Sequence, residues 1–90
     1  MKAAIKKKVL RRLSLIRGQL NGLIEMAAHE RYCVDIITQS SAIKEALSGV
    51  EHLILENHLT THVIDQMRGG KERKAVEEIL KVYRLAQKKK

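Results

Sequence analysis

Three residues of this chain have the chemistry and spacing of transition-metal ligands, namely Cys33, His58 and His62. The two histidines lie four residues apart, so on a helix their side chains share one face and can bind one ion. Cys33 precedes His58 by 25 residues, which is almost seven whole helical turns, so it falls on the same face but about 37 Å away along the axis. A thiolate with two imidazoles is a soft-to-borderline ligand set that suits Cu(I), Zn(II), Co(II) or Ni(II).

The separation along the axis means that one helix cannot bring these three residues to a single ion. They meet only if two copies of the helix pair antiparallel, so that Cys33 of one chain lies beside His58 and His62 of the other; two-fold symmetry then makes two identical sites. The spacing also permits a second interpretation, in which Cys33 is a buried structural residue and both histidines face solvent. His29 and His52 fit neither arrangement, and we expect them to be ordinary surface residues.

The apolar pattern predicts an all-α protomer of three helices. The first carries apolar residues at heptad spacing from Val9 to Ala27. The second runs from Tyr32 to Arg68, a length of roughly 50 Å at 1.5 Å per residue, and Gly69-Gly70 ends it. A helix longer than any core that this chain can wrap is expected to pair with another chain. A short third helix follows, and its apolar side consists of Val76, Ile79, Leu80, Tyr83 and Leu85. The tail Lys88–Lys90 comes after this helix.

Length and composition exclude several classes of protein. Ninety residues form one domain, residues 1–90, and the absence of Pro, Trp and Phe argues against a β-sandwich or barrel. A single Cys excludes an intramolecular disulfide framework and favours the reducing cytoplasm. No apolar run approaches the roughly 20 residues that cross a bilayer. The chain has no glycine-rich phosphate loop and no nucleophile at a strained turn, so we expect no catalytic activity.

The charges are distributed unevenly along the chain. Residues 1–24 contain seven Lys or Arg and no acid, whereas residues 25–67 contain two bases and seven acids, a net charge of −5. Residues 68–90 contain nine bases and three acids. Basic ends around an acidic middle favour binding to nucleic acid, or else only keep a helical protein soluble.

At these residues the sequence resembles the copper-sensitive operon repressor (CsoR) family of bacterial metal-sensing transcriptional repressors. The resemblance implies an antiparallel dimer of three-helix protomers, usually paired into a flat, disc-like tetramer. It also implies binding to operator DNA in the ligand-free state and release when the ligand binds. The match covers nearly the whole chain and rests on Arg12, the segment Ile16-Arg17-Gly18-Gln19-Leu20-Asn21-Gly22, Tyr32-Cys33-Val34-Asp35, Thr38-Gln39 and the His58/His62 pair.

The resemblance also implies roles for single residues. Copper-sensing members use Cys, His and Cys as ligands, with a Tyr before the first Cys and a Glu of the third helix as outer partners. Cys33 and His58 match the first two ligands, and Tyr32 matches the outer tyrosine. Glu78 matches the carboxylate, with its neighbour Glu77 as the alternative. The third ligand departs from the pattern, because His62 stands where the family has a Cys.

That departure leaves the inducer open. Replacing a thiolate by an imidazole shifts preference toward borderline Ni(II), Co(II) and Zn(II). The nickel and cobalt branch adds an N-terminal His, which would fall at Met1 and is absent here. The formaldehyde-sensing branch relies on an N-terminal Pro where this chain has Lys2, and the persulfide-sensing branch needs two Cys. We therefore expect a Cys–His–His site for Cu(I) first, and for Zn(II), Ni(II) or Co(II) next. A formaldehyde-responsive repressor of the same family is a further alternative.

The DNA-binding residues are expected in the first helix, which contains no helix-turn-helix. Contacts spread over a flat face would be sensitive to DNA shape. Two other functions are alternatives to a metal-sensing repressor: a basic helical protein that binds DNA without sequence preference, and a metal-buffering oligomer without operator affinity. The family match singles out Arg12, Arg17 and Gln19 for contact with DNA. The acid-free stretch of the first helix adds Lys6, Lys7 and Lys8.

Overall fold

The computed structural model describes residues 1–87, and its helices begin and end close to the predicted positions. These residues contain no strand, which confirms the all-α prediction. The predicted tail Lys88–Lys90 lies outside the described residues. The chain divides into two compact units, Met1–Asn57 and His58–Lys90. The helical elements are α1 (Ala3–Ala28), α2 (Cys33–His58), a π-helical turn (Leu59–Val63), α3 (Ile64–Arg68) and α4 (Glu72–Gln87).

The predicted second helix, from Tyr32 to Arg68, is helical throughout but is not one regular α-helix. A single turn of π-helix, Leu59–Val63, separates α2 from α3. Three of its five residues are β-branched, and such side chains crowd the preceding turn of an α-helix. The π turn interrupts the 3.6-residue period, so Val63 is buried, whereas Ile64 of the predicted apolar track is exposed. Isolated π turns of this kind are frequent at functional sites.

The first unit is a pair of helices with a small core. Val9 and Ile16 of α1 are buried with Ile43 and Val50 of α2. The predicted heptad track is only partly covered, because Leu13 and Leu20 of the same track remain 38% and 47% exposed. The track therefore predicts more burial than one chain provides. The following residues are partly buried against the core: Ile5, Leu23, Ala46 and Leu53.

The second unit contains the π turn, α3 and α4. Val63 and Ala75 are its buried apolar residues among those described, and α3 packs against α4. The apolar side of α4 forms at the predicted positions, but those five side chains are exposed in the single chain. Both units thus keep apolar helix faces uncovered.

The turn between α1 and α2 ends α1 by a Schellman arrangement. The N–H of Arg31 donates to the carbonyl of Met26 at 3.0 Å, and the N–H of Glu30 donates to the carbonyl of Ala27 at 3.1 Å. These bonds satisfy carbonyls at the helix end that have no partner within the helix. Glu30 adopts a positive φ of 50° to make them, which costs a residue with a Cβ roughly 1–2 kcal/mol.

The end of α3 repeats this arrangement with glycine in the same place. The N–H of Lys71 donates to the carbonyl of Gln66 at 2.7 Å, and the N–H of Gly70 donates to that of Met67 at 3.2 Å. Gly70 has a φ of 77°, and without a Cβ it adopts that conformation at no steric cost. The predicted stop at Gly69-Gly70 is confirmed.

These two turns predict opposite effects of substitution. Glu30→Gly should raise the free energy of unfolding by about 1 kcal/mol, because it relieves the strained φ, and Gly70→Ala should lower it by about the same amount. Urea denaturation followed by circular dichroism measures both. Gly70→Asn is the control, since Asn tolerates the left-handed region and should cost less than Ala. A Glu30→Gly protein that unfolds at lower urea would contradict the assignment of strain to this residue.

Candidate metal and DNA site

The two predicted histidine ligands lie side by side in the second unit. His58 ends α2 and His62 belongs to the π turn. Their ring centroids are 5.2 Å apart with an angle of 43° between the ring planes. The prediction that both side chains share one face is confirmed. His58 is half-buried and His62 is exposed, so the pair is accessible from solvent.

Glu78 of α4 holds the ring of His58 in place. The distance between His58 Nε2 and Glu78 Oε2 is 2.8 Å, whereas the alternative carboxylate, Glu77, is exposed. An ionised carboxylate only accepts hydrogen bonds, so Nε2 carries the proton and donates it. In the neutral form of the ring Nδ1 is then the nitrogen without a proton, and an unprotonated nitrogen is the one that binds a metal. A ligand histidine that donates its other N–H to a carboxylate is the usual arrangement at metal sites.

Gln66 completes this cluster and was not singled out in the sequence. Its Nε2 donates to Glu78 Oε1 at 3.2 Å, while its own Oε1 is buried and unpaired among residues 1–87. A signal for it was available, because His58, His62 and Gln66 form one series at four-residue spacing on a single helix face.

The electrostatics of the cluster favour an ionised Glu78. The hydrogen bond from His58 lowers the pKa of Glu78 most, the bond from Gln66 lowers it further, and partial burial opposes both. The side chains of His58 and Glu78 are 31% and 33% exposed, so solvent screens their attraction. The bond therefore orients the ring more than it stabilises the fold.

The third predicted ligand lies in the first unit. Cys33 is a free, exposed cysteine at the first position of α2, so the alternative prediction of a buried structural cysteine is wrong for the chain as described. Tyr32, directly before it, is 70% exposed. Residues 1–87 contain no group of three or more His, Cys, Asp or Glu side chains able to hold a metal. The donor types fit a soft metal ion, but one protomer offers them as two separate sets.

The remaining histidines behave as predicted. His29 bonds through Nε2 to Glu25 at 3.2 Å, one helical turn away, and both side chains are largely exposed. His52 is also exposed. Both are ordinary surface residues, as their spacing indicates.

The predicted DNA-binding residues occupy two kinds of position in the first unit. Lys6, Lys7, Lys8 and Arg17 are exposed on α1. Arg12, which is also exposed, and the half-buried Gln19 line a groove of about 390 Å³ between α1 and α2, together with Glu45.

Within that groove, the guanidinium of Arg12 lies over Gly49, with Nη1 3.5 Å from the position that a Cβ would occupy there. The Oε1 of Gln19 is buried and has no hydrogen-bond partner among residues 1–87. Arg12 and Gln19 thus lie beside α2 as well as facing solvent, whereas the other four cations do not line the groove. Within the described part of the chain, no helix is both long and apolar enough to span a bilayer.

The class of protein follows from comparison with known proteins. The profile of the metal-sensitive transcriptional repressor family matches residues 5–84. The chain therefore belongs to this family and is a metal-responsive transcriptional repressor, which confirms the resemblance seen in the sequence. Members are transcriptional repressors, which are not enzymes.

Individual relatives are similar over most of the chain. The copper-sensing transcriptional repressor CsoR of Bacillus subtilis (strain 168) is 37% identical over 79 residues, which are 88% of this chain and 78% of that protein. CsoR of Mycobacterium tuberculosis (strain H37Rv) is 35% identical over 77 residues, 86% of this chain and 65% of that protein. The crystal structure of CsoR with Cu(I) from Geobacillus thermodenitrificans NG80-2 matches with a TM-score of 0.89 at 31% identity, covering 97% of this chain and 91% of that one.

The His58–Glu78 bond predicts a measurable titration. The pKa of Glu78 should lie below that of an ordinary glutamate. The ionised Glu78 carboxylate therefore stabilises the folded protein fully at a pH above the ordinary glutamate pKa, and this stabilisation is lost as the pH falls through the lowered pKa of Glu78. Carbon-detected NMR of the side-chain carboxyl measures the midpoint. His58→Phe should raise it, and Gln66→Leu should raise it by less. An unchanged midpoint in His58→Phe would contradict the bond.

Proposed function

We propose that this protein represses transcription by binding operator DNA without metal and leaves the DNA when Cu(I) binds. The proposed ligands are the thiolate of Cys33 from one protomer and the imidazoles of His58 and His62 of the partner subunit. The observation that carries this proposal is the hydrogen bond from His58 Nε2 to Glu78 beside the ring of His62. Such a bond leaves Nδ1 available and holds the ring in one orientation.

Ligand chemistry and the relatives favour Cu(I). A thiolate is a soft donor that suits Cu(I) and Zn(II), and imidazole suits both metals as well, so the relatives decide between them. Relatives of the chain are named copper-sensing repressors, and a solved relative contains Cu(I). Because a thiolate ligand must stay reduced, we place the protein in the reducing cytoplasm.

Two features support a site shared between protomers. Cys33 and the histidine pair belong to different units, and residues 1–87 of one chain bring no three donors together. The apolar track of α1 is also left uncovered at Leu13 and Leu20, as expected of a helix that packs against a second chain. An antiparallel dimer supplies both a cover and two identical sites, and such dimers pair into a tetramer in the proposed assembly.

Release from DNA requires coupling between the metal ligands and the helices. Glu78 connects His58 to α4, so a change in the position of the His58 ring acts on α4 through this bond. Tyr32 is proposed to contact the metal-bound thiolate, because its hydroxyl can donate a hydrogen bond to sulfur. Coupling free energies between sites are typically 1–3 kcal/mol, which corresponds to about 5- to 150-fold in affinity.

The DNA surface proposed here is α1 with its acid-free charge. Exposed cations such as Lys6, Lys7, Lys8 and Arg17 bind phosphates and release counterions. Arg12 and Gln19, which line the groove against α2, contribute contacts that depend on how the two helices pack. Readout of the operator is then spread over a helix face and depends on DNA shape.

The shared site is tested by subunit complementation. Cys33→Ala should preserve DNA binding while abolishing release by Cu(I), and His62→Ala should do the same. In a mixed dimer of the two variants, one of the two sites keeps all its ligands. Each mixed dimer should therefore bind about half as much Cu(I) as a wild-type dimer. The probe is a duplex selected by the metal-free protein from a random-sequence library, and anaerobic fluorescence anisotropy measures release. Mixed dimers that bind no Cu(I) would contradict a site between protomers.

The same anisotropy assay identifies the metal and the specificity. Titration with Cu(I), Zn(II), Ni(II) and Co(II) in turn should give release at the lowest free concentration with Cu(I). A random duplex of equal length serves as the control for sequence preference. Equal binding to both duplexes, unaffected by any metal, would indicate a basic helical DNA-binding protein without a sensor function.

The lysines of α1 predict a change in salt dependence. The triple variant Lys6→Gln, Lys7→Gln, Lys8→Gln should weaken binding and make the slope of log K against log salt shallower, by up to about 0.9 for each phosphate that is no longer neutralised. Lys44→Gln, which removes a cation from the acidic middle of the chain, is the control and should leave the slope unchanged. If the triple variant keeps the full slope, these lysines do not contact phosphate.

A further inference from the structure

Asn57 is the one polar residue that is buried among residues 1–87, with 5% of its surface exposed. Its Oδ1 accepts a hydrogen bond from the backbone N–H of Lys2 at a distance of 3.2 Å, although the two residues are 55 positions apart. A buried polar side chain needs such a partner, because burial without one is costly. The contact therefore links the beginning of α1 to the last turn of α2.

The beginning of α1 lacks the usual local stabilisation. Lys2 is the residue before the first helical turn, its side chain makes no capping bond, and the first turn contains no acid. Lys6, Lys7 and Lys8 follow near the positive end of the helix dipole, where cations are unfavourable. In a capping box, an amide or carboxyl side chain three residues along the helix accepts a bond from the N–H of this residue. Asn57 supplies the equivalent bond from another helix.

The position of Asn57 joins the two functional surfaces along the chain. It directly precedes His58, and the segment that it caps contains the exposed lysines of α1. Asn57 is therefore the capping residue that stands nearest in sequence to a proposed metal ligand.

We propose that Asn57 is a positioning residue: its carboxamide holds the first turns of α1 helical for DNA in the metal-free protein and is released when His58 moves. This inference rests on the proposed function, because it assigns the route by which occupation of the metal site reaches the lysines.

Two substitutions at Asn57 separate the hydrogen bond from the packing. Asn57→Leu removes the acceptor, whereas Asn57→Asp keeps an acceptor oxygen and adds a negative charge at a helix N-terminus. Operator affinity of the metal-free protein should fall about fivefold in Asn57→Leu, equivalent to about 1 kcal/mol, and should stay within twofold in Asn57→Asp. Hydrogen exchange of residues 2–8, measured by mass spectrometry, should accelerate only in Asn57→Leu. Cu(I) affinity, measured by competition with a chelator, should rise in Asn57→Leu by about the same factor, because this variant has no cap to break when metal binds, and should stay within twofold in Asn57→Asp.

A second pair of variants tests the donor, the backbone N–H of Lys2, without changing Asn57. Lys2 has a φ of −62°, which proline adopts without strain, so Lys2→Pro deletes the N–H and should reproduce the effects of Asn57→Leu. Lys2→Gln removes the same charge, keeps the N–H and is the matched control. Retention of Met1 is checked by intact mass.

A third control separates this role from general stability. Val50→Ala weakens the core away from the cap, so it should lower the urea midpoint without changing operator affinity at temperatures where the protein is folded. The proposal is overturned if Asn57→Leu and Lys2→Pro leave exchange of residues 2–8 unchanged, or weaken DNA binding no more than Val50→Ala and Lys2→Gln do. If wild-type protein binds the selected duplex equally with and without Cu(I), the proposed function is wrong. Hydrogen exchange of residues 2–8 and the DNA affinity of the metal-free variants still test whether Asn57 caps α1.

Discussion

The orientation of one imidazole ring by one carboxylate is the interaction on which the proposed sensor site depends. His58 ends α2 and Glu78 lies on α4, so the bond between them connects a proposed ligand to a helix that carries none of the proposed ligands. Gln66 bonds to the second oxygen of Glu78 and so fixes the carboxylate on its other side. A ring held in this way offers a single nitrogen in a single direction, which reduces the entropy that ligand binding must overcome.

The helices were accessible from sequence because their signals are local. Heptad spacing indicated the end of α1 and the start of α2, and the glycines marked the end of α3, each to within about one residue, whereas α1 begins at Ala3, before the apolar track that starts at Val9. The side-by-side histidines followed from spacing of four on one face. Glu78 came from the family resemblance, since nothing in the periodicity distinguishes it from Glu77.

Features that leave no periodic signal in the sequence were not accessible in this way. The π turn at Leu59–Val63 replaces one backbone hydrogen-bonding pattern by another without changing the helical character of the residues. The bond between Lys2 and Asn57 joins residues 55 positions apart, and periodicity contains no information about such pairs. The exposure of Leu13 and Leu20 has the same origin, because a heptad track predicts that a face will be covered but does not name the chain that covers it.

The left-handed backbone at Glu30 has a consequence for how quickly a ligand is captured. A turn that carries about 1 kcal/mol of steric cost opens about fivefold more often than a relaxed one, and turns of low local stability open without unfolding the rest of a protein. Cys33 lies three residues beyond Glu30, so openings of this turn would loosen the backbone close to the thiol that we propose as a ligand. Selection for rapid response would then oppose the glycine that selection for stability alone would favour.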